Sequence, residues 1–227
     1  MIRKKLQSAA RGDVKGNFAN KFRQNRINIF LDLIKPEGNT AINILDIGGT
    51  DYHWTNLNIN NGLKLNITLL NKAEVRVKNP GFEYVRGDGR DLSLFDDNSI
   101  DFVYSNSVIE HFGEFEDQKK FAGEVRRVSK RYFIQTPNYY FPFEPHFLMF
   151  GIHYLPVKYR AFLIRHLSMG WYDKKQNYSD SIKSAESIRL LKRKELEHLF
   201  PGAEIICERF YGLTKSFMLH KGFNITS

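Results

Sequence analysis

Apolar residues return every three or four positions at Phe18, Phe22, Ile27, Phe30, Leu31 and Ile34, and that spacing predicts a helix over 14–35. Lys35-Pro-Glu-Gly stops it. A different rhythm follows. Short apolar runs end in glycine or polar residues: Ala41-Ile-Asn-Ile-Leu-Asp-Ile-Gly-Gly, Ile67-Thr-Leu-Leu, Phe82-Glu-Tyr-Val-Arg-Gly-Asp, Ile100-Asp-Phe-Val-Tyr-Ser and Tyr132-Phe-Ile-Gln-Thr-Pro. They read as five strands. Between the last two, residues 118–129 carry Phe121, Val125 and Val128 on one side of a helix. Strands separated by helical or loop crossovers imply a mostly parallel sheet with helices on its faces. The late runs Ala203-Glu-Ile-Ile-Cys and Ser216-Phe-Met-Leu-His are expected to pair as antiparallel edge strands.

Residues 138–187 break the rhythm. They are rich in aromatics (Tyr139, Phe147, Tyr154 and Trp171 among them) and read as a lid inserted over the sheet. Its stretch from Phe147 onward, apolar with intermittent basic residues, is either an amphipathic helix packed on the sheet or a surface for an apolar acceptor or membrane interface. The whole chain, 1–227, is thus expected to be one domain, with a basic helical arm over 1–38 and the lid over 138–187.

Composition narrows the class. With 227 residues, 42% hydrophobic and 26% charged, the chain is long enough for a core without staples. One cysteine, Cys207, excludes an internal disulfide framework and a cysteine zinc site. No apolar run resembles a signal sequence or a membrane span, so a soluble, cytoplasmic protein is expected. The net charge of +9 is uneven. Arg3, Lys4, Lys5, Arg11, Lys15, Lys21, Arg23, Arg26 and Lys35 face only Asp13 and Asp32 in the arm. Such an arm is either a solvated face or a surface for nucleic acid, an anionic membrane or a phosphorylated substrate.

The candidate chemistry follows the strands. A parallel sheet binds ligands beyond the carboxyl ends of its strands, where strand order reverses. The turn Asp46-Ile-Gly-Gly-Thr-Asp-Tyr after the first strand lacks the third glycine of a dinucleotide loop. It also places Asp46 and Asp51 where a diphosphate would lie, so it is expected to favour a nucleoside bearing a positive group. Asp88, in Gly-Asp-Gly, can accept from an adenine amine or simply close a turn. After the fourth strand, Ser105 and Asn106 lead to Glu110 and His111.

In order and spacing these stretches resemble the class I S-adenosylmethionine-dependent methyltransferases, in particular the small-molecule branch with a type 11 or type 23 domain. Ile44-Leu-Asp-Ile-Gly-Gly, Gly87-Asp-Gly-Arg-Asp-Leu, Ile100-Asp-Phe-Val-Tyr-Ser-Asn-Ser-Val-Ile-Glu-His, Glu124-Val-Arg-Arg-Val-Ser and Phe133-Ile-Gln-Thr-Pro-Asn carry the resemblance over residues 40–140. It implies an α/β, Rossmann-like, mostly parallel seven-stranded sheet with helices on both faces and an antiparallel strand pair at the C-terminal edge. It also implies an enzyme of class EC 2.1.1.- with S-adenosyl-L-methionine as cofactor. Asp46, Gly48 and Gly49 then match the loop for its methionine portion. Asp88 and Gly89 match the adenine contact, and Ser105 and Asn106 the strand end beside the sulfonium. Two positions depart from the pattern. Thr50 and Tyr52 stand where further glycines are usual, and Asn71, with Glu74 nearby, replaces the acid that holds the ribose.

The resemblance implies methyl transfer to a small-molecule or glycan/lipid-precursor acceptor, with His111, His146 and Glu110 as candidate bases. Glu144, His146 and His153 lack the helix-face spacing of a metal pair, so no metal is expected. An RNA methyltransferase using the basic arm, or a non-catalytic protein that keeps the fold, are the competing readings. Peripheral membrane contact is compatible with the lid, and the sequence sets no oligomeric state.

Overall fold

The expected strands assemble in a computed structural model that describes residues 2–10, 18–35, 41–55, 63–74 and 76–223. In chain order they are β1 (Ile42–Ile47), β2 (Leu65–Asn71), β3 (Phe82–Arg86), β4 (Phe102–Asn106), β5 (Tyr132–Pro137), β6 (Phe143–Glu144), β7 (Met149–Phe150), β8 (Glu204–Phe210) and β9 (Leu213–Lys221). Seven of them form one sheet in the order β3-β2-β1-β4-β5-β9-β8, while β6 and β7 make a separate ribbon. The first five are parallel, and β9 runs antiparallel to both β5 and β8. The chain builds outward from β1 to β3, then crosses back to lay β4 on the other side of β1. Strand order therefore reverses between β1 and β4, where a ligand is expected.

The helices are α1 (Ile2–Ala10), α2 (Phe18–Ile34), α3 (Asp51–Thr55), α4 (Phe115–Val128), α5 (Val157–His166), α6 (Tyr178–Glu186) and α7 (Arg193–Leu199). On one face, α2 buries Ile27, Phe30, Leu31 and Ile34 beside Trp54 of α3. The Phe30 ring lies 5.0 Å from Tyr104 and 5.7 Å from Phe133, centroid to centroid. A fully buried side chain of this size contributes roughly 1.5–3 kcal/mol. On the opposite face, α4 and α7 bury Phe121, Val125, Val128, Leu196 and Leu199. Helices cover β5 on both sides and strands flank both its edges, so all six of its residues are buried.

Boundaries shift where local chemistry outweighs periodicity. The helix expected over 118–129 begins at Phe115, because Glu116 and Asp117 in its first turn suit the positive end of the helix dipole. The fourth strand begins at Phe102 rather than Ile100, whose N–H turns aside to the Val128 carbonyl. Residues 14–17 of the first expected helix, and the Pro36 stop, lie outside the described residues.

The stretch 138–187 holds β6, β7, a short helical turn over Ile152–Tyr154, α5 and α6. It has its own apolar cluster, with Phe147, Ile152, Ala161, Ile164, Met169 and Ala185 buried together. The basic arm docks on it. Arg3 Nε and Gln7 Nε2 donate to the Gly170 carbonyl at 3.1 and 2.7 Å, and Arg3 pairs with Asp173 at 2.8 Å. Among the described residues, no helix is long and apolar enough to cross a membrane.

Candidate active site

The turn after β1 is set by backbone and packing. Gly48 has φ +77°, and its N–H donates to the Leu70 carbonyl at 2.7 Å. A Cβ there would stand 2.5 Å from Val108 Cγ2, so the turn rests directly on the loop after β4. A Cβ on Gly49 would run into the Asp46 carboxylate. That carboxylate faces inward. Asp46 is buried and accepts from Trp54 Nε1 at 2.6 Å, and burial pushes its pKa up to about 7 despite that hydrogen bond. Of the two carboxylates expected beside the ligand, Asp46 is turned toward Trp54 and anchors α3. Asp51 is buried too, with Oδ2 accepting from the Lys78 N–H at 2.8 Å and Oδ1 left without a partner.

The other cofactor candidates border the same strand ends. Asn71 closes β2, donating to the Gly49 carbonyl at 3.3 Å and accepting from the Ala73 N–H. Asp88 binds Arg90 through Nε and Nη2 and pairs with Lys72 at 3.1 Å. Its partial burial opposes ionisation, but these cations hold its carboxyl below the usual range. Gly89 packs where a Cβ would crowd Ile47, Phe112 and Phe121. Ser105 is buried and donates to the Ile47 carbonyl at 3.1 Å, stitching β4 to β1. The Glu74 side chain is exposed.

Asn106 leads to a network that the sequence did not reveal. Its Oδ1 accepts from Arg26 Nη1 at 3.0 Å, and Gln135 Oε1 accepts from the same nitrogen at 2.9 Å. Arg26 holds Glu208 through both Nε and Nη2, at 2.8 and 2.5 Å. Lys215 and Ser216 complete the shell of Glu208 at 3.0 and 2.7 Å. Burial alone would raise Glu208, but Arg26 and Lys215 outweigh it and hold the pKa at about 2. One residue of the arm thus ties α2 to β4, β5 and β8, and through Glu208 to β9.

A second cluster gathers at the ends of β4 and β5. Glu110, in a helical turn over Ile109–Phe112, is fully buried. Its Oε2 accepts from Thr136 Oγ1 at 3.0 Å, while Oε1 has no hydrogen-bond partner and lies 3.9 Å from His146 Nε2. Burial pushes the Glu110 pKa up. His146 arrives from the stretch 138–187, where its Nδ1 meets Glu144 Oε1 at 2.6 Å, and Glu144 Oε2 accepts from the Phe147 N–H at 2.6 Å. The exposed His111 sets its ring edge-to-face on His146 at 4.7 Å, and desolvation together with His146 lowers its pKa to about 4. Of the histidines grouped from sequence, His153 stands apart, bonded through Nε2 to the Tyr139 carbonyl at 2.9 Å. The candidates that sequence reading did not single out are Arg26, Gln135 and Thr136. Gln135 and Thr136 stand in the Phe133-Ile-Gln-Thr-Pro-Asn stretch, but only the fold shows what they and Arg26 bond.

None of the curated proteins matches the sequence. Residues 47–132 match the methyltransferase domain family. A candidate methyltransferase from an antibiotic biosynthesis pathway of Anabaena variabilis is similar in structure at TM-score 0.51 and 19% identity, over 81% of this chain and 64% of that one. The CurJ carbon methyltransferase is similar at TM-score 0.57 and 12% identity, over 96% of this chain and 58% of that one. A candidate zinc-dependent alcohol dehydrogenase from Rhodobacter sphaeroides reaches TM-score 0.50 at 10% identity, over 85% of this chain and 88% of that one. The chain therefore spans less than two thirds of the length of the first two. At such identities the likeness is one of fold, and it crosses enzyme classes. The domain family is the narrower result: its model matches residues 47–132, less than half of the chain, and describes a methyltransferase domain.

Proposed function

We propose that the protein transfers a methyl group to a small-molecule or glycan/lipid-precursor acceptor by in-line displacement. S-adenosylmethionine, when bound, supplies the methyl group on a sulfonium. The chain's own task is to align the acceptor and exclude water, which can account for ~7–11 kcal/mol of the barrier.

One juxtaposition supports this reading most: the glycine turn and the Glu110–His111–His146 cluster end neighbouring strands and are joined by the Val108 contact with Gly48. On the turn side, Gly48, Gly49 and Asp51 are suited to the amino-acid end of the donor, since the free oxygen of Asp51 can accept from an ammonium or hydroxyl. Asn71 is suited to the ribose, and Asp88 with Gly89 to the adenine. Asn106 and Ser105 shape the wall between them, with the Ser105 hydroxyl already given to Ile47. On the cluster side, Glu110, His111 and His146 meet the acceptor under the insertion. The RNA reading has less to stand on, because Arg3 and Arg26 of the basic arm bond within the chain.

Calorimetry and thermal shift with S-adenosylmethionine test the reading. At a hundredfold excess over Kd, binding stabilises by ~2.7 kcal/mol. Asp51→Asn is expected to weaken the donor about tenfold, roughly 1.4 kcal/mol, with the fold retained. No heat and no shift at millimolar donor would leave a non-catalytic protein with this fold. Mass spectrometry with labelled donor then identifies the acceptor.

A further inference from the structure

We propose that Glu110, His111 and His146 bind one divalent transition-metal ion, of the zinc or cobalt kind, at the acceptor end of the site. The three residues offer two imidazole nitrogens and one carboxylate oxygen, and these atoms all lie within 4.8 Å of one another. Two neutral nitrogens with one carboxylate suit borderline ions better than magnesium or calcium, which prefer all-oxygen shells.

Three features point at an ion rather than at a chance grouping. Glu110 is fully buried, yet its Oε1 has no hydrogen-bond partner, while Oε2 is held by Thr136. A buried carboxylate oxygen left bare is costly, and a cation beside it removes the cost. Next, His146 is oriented from behind. Glu144 takes its Nδ1 at 2.6 Å and is itself fixed by the Phe147 N–H, so Nε2 is the nitrogen left facing Glu110. A carboxylate on the far nitrogen of a ligand histidine is the usual outer partner at metal sites. Last, the 3.9 Å between His146 Nε2 and Glu110 Oε1 is too long for a direct hydrogen bond. Two donors that share a tetrahedral ion at about 2.0–2.2 Å each stand about 3.3–3.6 Å apart, so a small side-chain shift brings this pair into ligand spacing.

The exposed His111 closes the site on its open side. Three protein ligands leave a coordination position free, as in metal sites that act on substrates. The sequence names these three residues as candidate bases but gives no sign of them as a ligand set. Glu110 and His111 are adjacent in a short helical turn, and His146 comes from the stretch 138–187, so no helix-borne metal motif exists. The placement at the acceptor end rests on the proposed methyl transfer; ion binding itself is measured without donor or acceptor.

The test is titration of chelator-treated, full-length protein with cobalt(II), followed by displacement with zinc(II) in calorimetry. The expected result is one ion per chain with visible ligand-field bands from nitrogen and oxygen ligation. His111→Ala, at an exposed position, is expected to keep the fold by circular dichroism and to lose at least tenfold in affinity. Glu144→Gln is expected to lose about 10–100-fold, as outer partners of ligand histidines do. Absence of stoichiometric binding, or affinity unchanged in His111→Ala, overturns the assignment. Thermal shift with S-adenosylmethionine on the same samples separates the two readings. Donor binding without cobalt overturns the metal site alone, and cobalt without donor binding overturns the methyl-transfer reading alone.

Discussion

The two sides of the candidate site are built differently. The turn after β1 is made of backbone: Gly48 at positive φ, one amide bonded to Leu70, and a glycine surface pressed on Val108. The side beyond β4 and β5 is made of side chains from segments far apart in sequence. Arg26 meets Glu208, Glu110 meets Thr136, and His146 comes from the stretch 138–187. A backbone-built site needs only a short local stretch and tolerates few residues at its key positions. A side-chain-built site needs the whole fold first, and its members depend on one another for charge balance.

That difference is open to direct attack. The largest effect is expected from Arg26→Ala, which leaves Glu208 buried with only Lys215 and Ser216; about 3–5 kcal/mol of stability should be lost by chemical denaturation. The same pair has an acid signature. The Glu208 pKa is about 2 in the folded chain against an ordinary 4.5, so its stabilisation is complete above about pH 4.5 and lost as pH falls toward 2. Melting temperatures of the wild type should drop across that window, and a variant without Arg26 should show a smaller drop, because Lys215 still faces Glu208 and Asp88 is also held low. Gly48→Ala comes next. Positive φ and the Val108 contact together predict a cost of about 2–4 kcal/mol, with weaker donor binding, read by denaturation and calorimetry. Should Gly48→Ala prove harmless, the backbone-built description of that side fails. The smallest effect has the opposite sign. Gly123 lies within α4 with nothing within 4 Å of an added Cβ, so Gly123→Ala should stabilise by about 0.5–1 kcal/mol and leave donor binding alone.

The same contrast explains what could be read beforehand. The five parallel strands, the terminal hairpin and the glycine turn each announce themselves within ten residues, through an apolar run and its polar or glycine stop. The parallel sense of the first five strands needed no further information, because strands separated by crossovers pair that way. Arg26 looked like one more charge on a basic arm. Its partner lies 182 residues away, and such pairing leaves no local pattern. Asp46 was legible as a site residue but not its direction, since only the placement of Trp54 turns the carboxylate inward. The helices of 138–187 were legible only in part: an amphipathic helix was one reading of the stretch from Phe147 onward, but α5 and α6 bury Ala161, Ile164 and Ala185 while the conspicuous aromatics Tyr159, Phe162 and Tyr178 stay exposed.

The order of strands has a consequence for biosynthesis. β5 pairs on one edge with β4 and on the other with β9, which is the last strand of the sheet to emerge from a ribosome. A nascent chain that has reached α7 therefore displays a strand destined for full burial with one raw edge, the kind of template on which polypeptides aggregate. Closure waits for residues 213–221, which slide in between β5 and β8 and seal both. Translation that stalls or terminates before them would yield a sticky intermediate instead of a smaller soluble fragment.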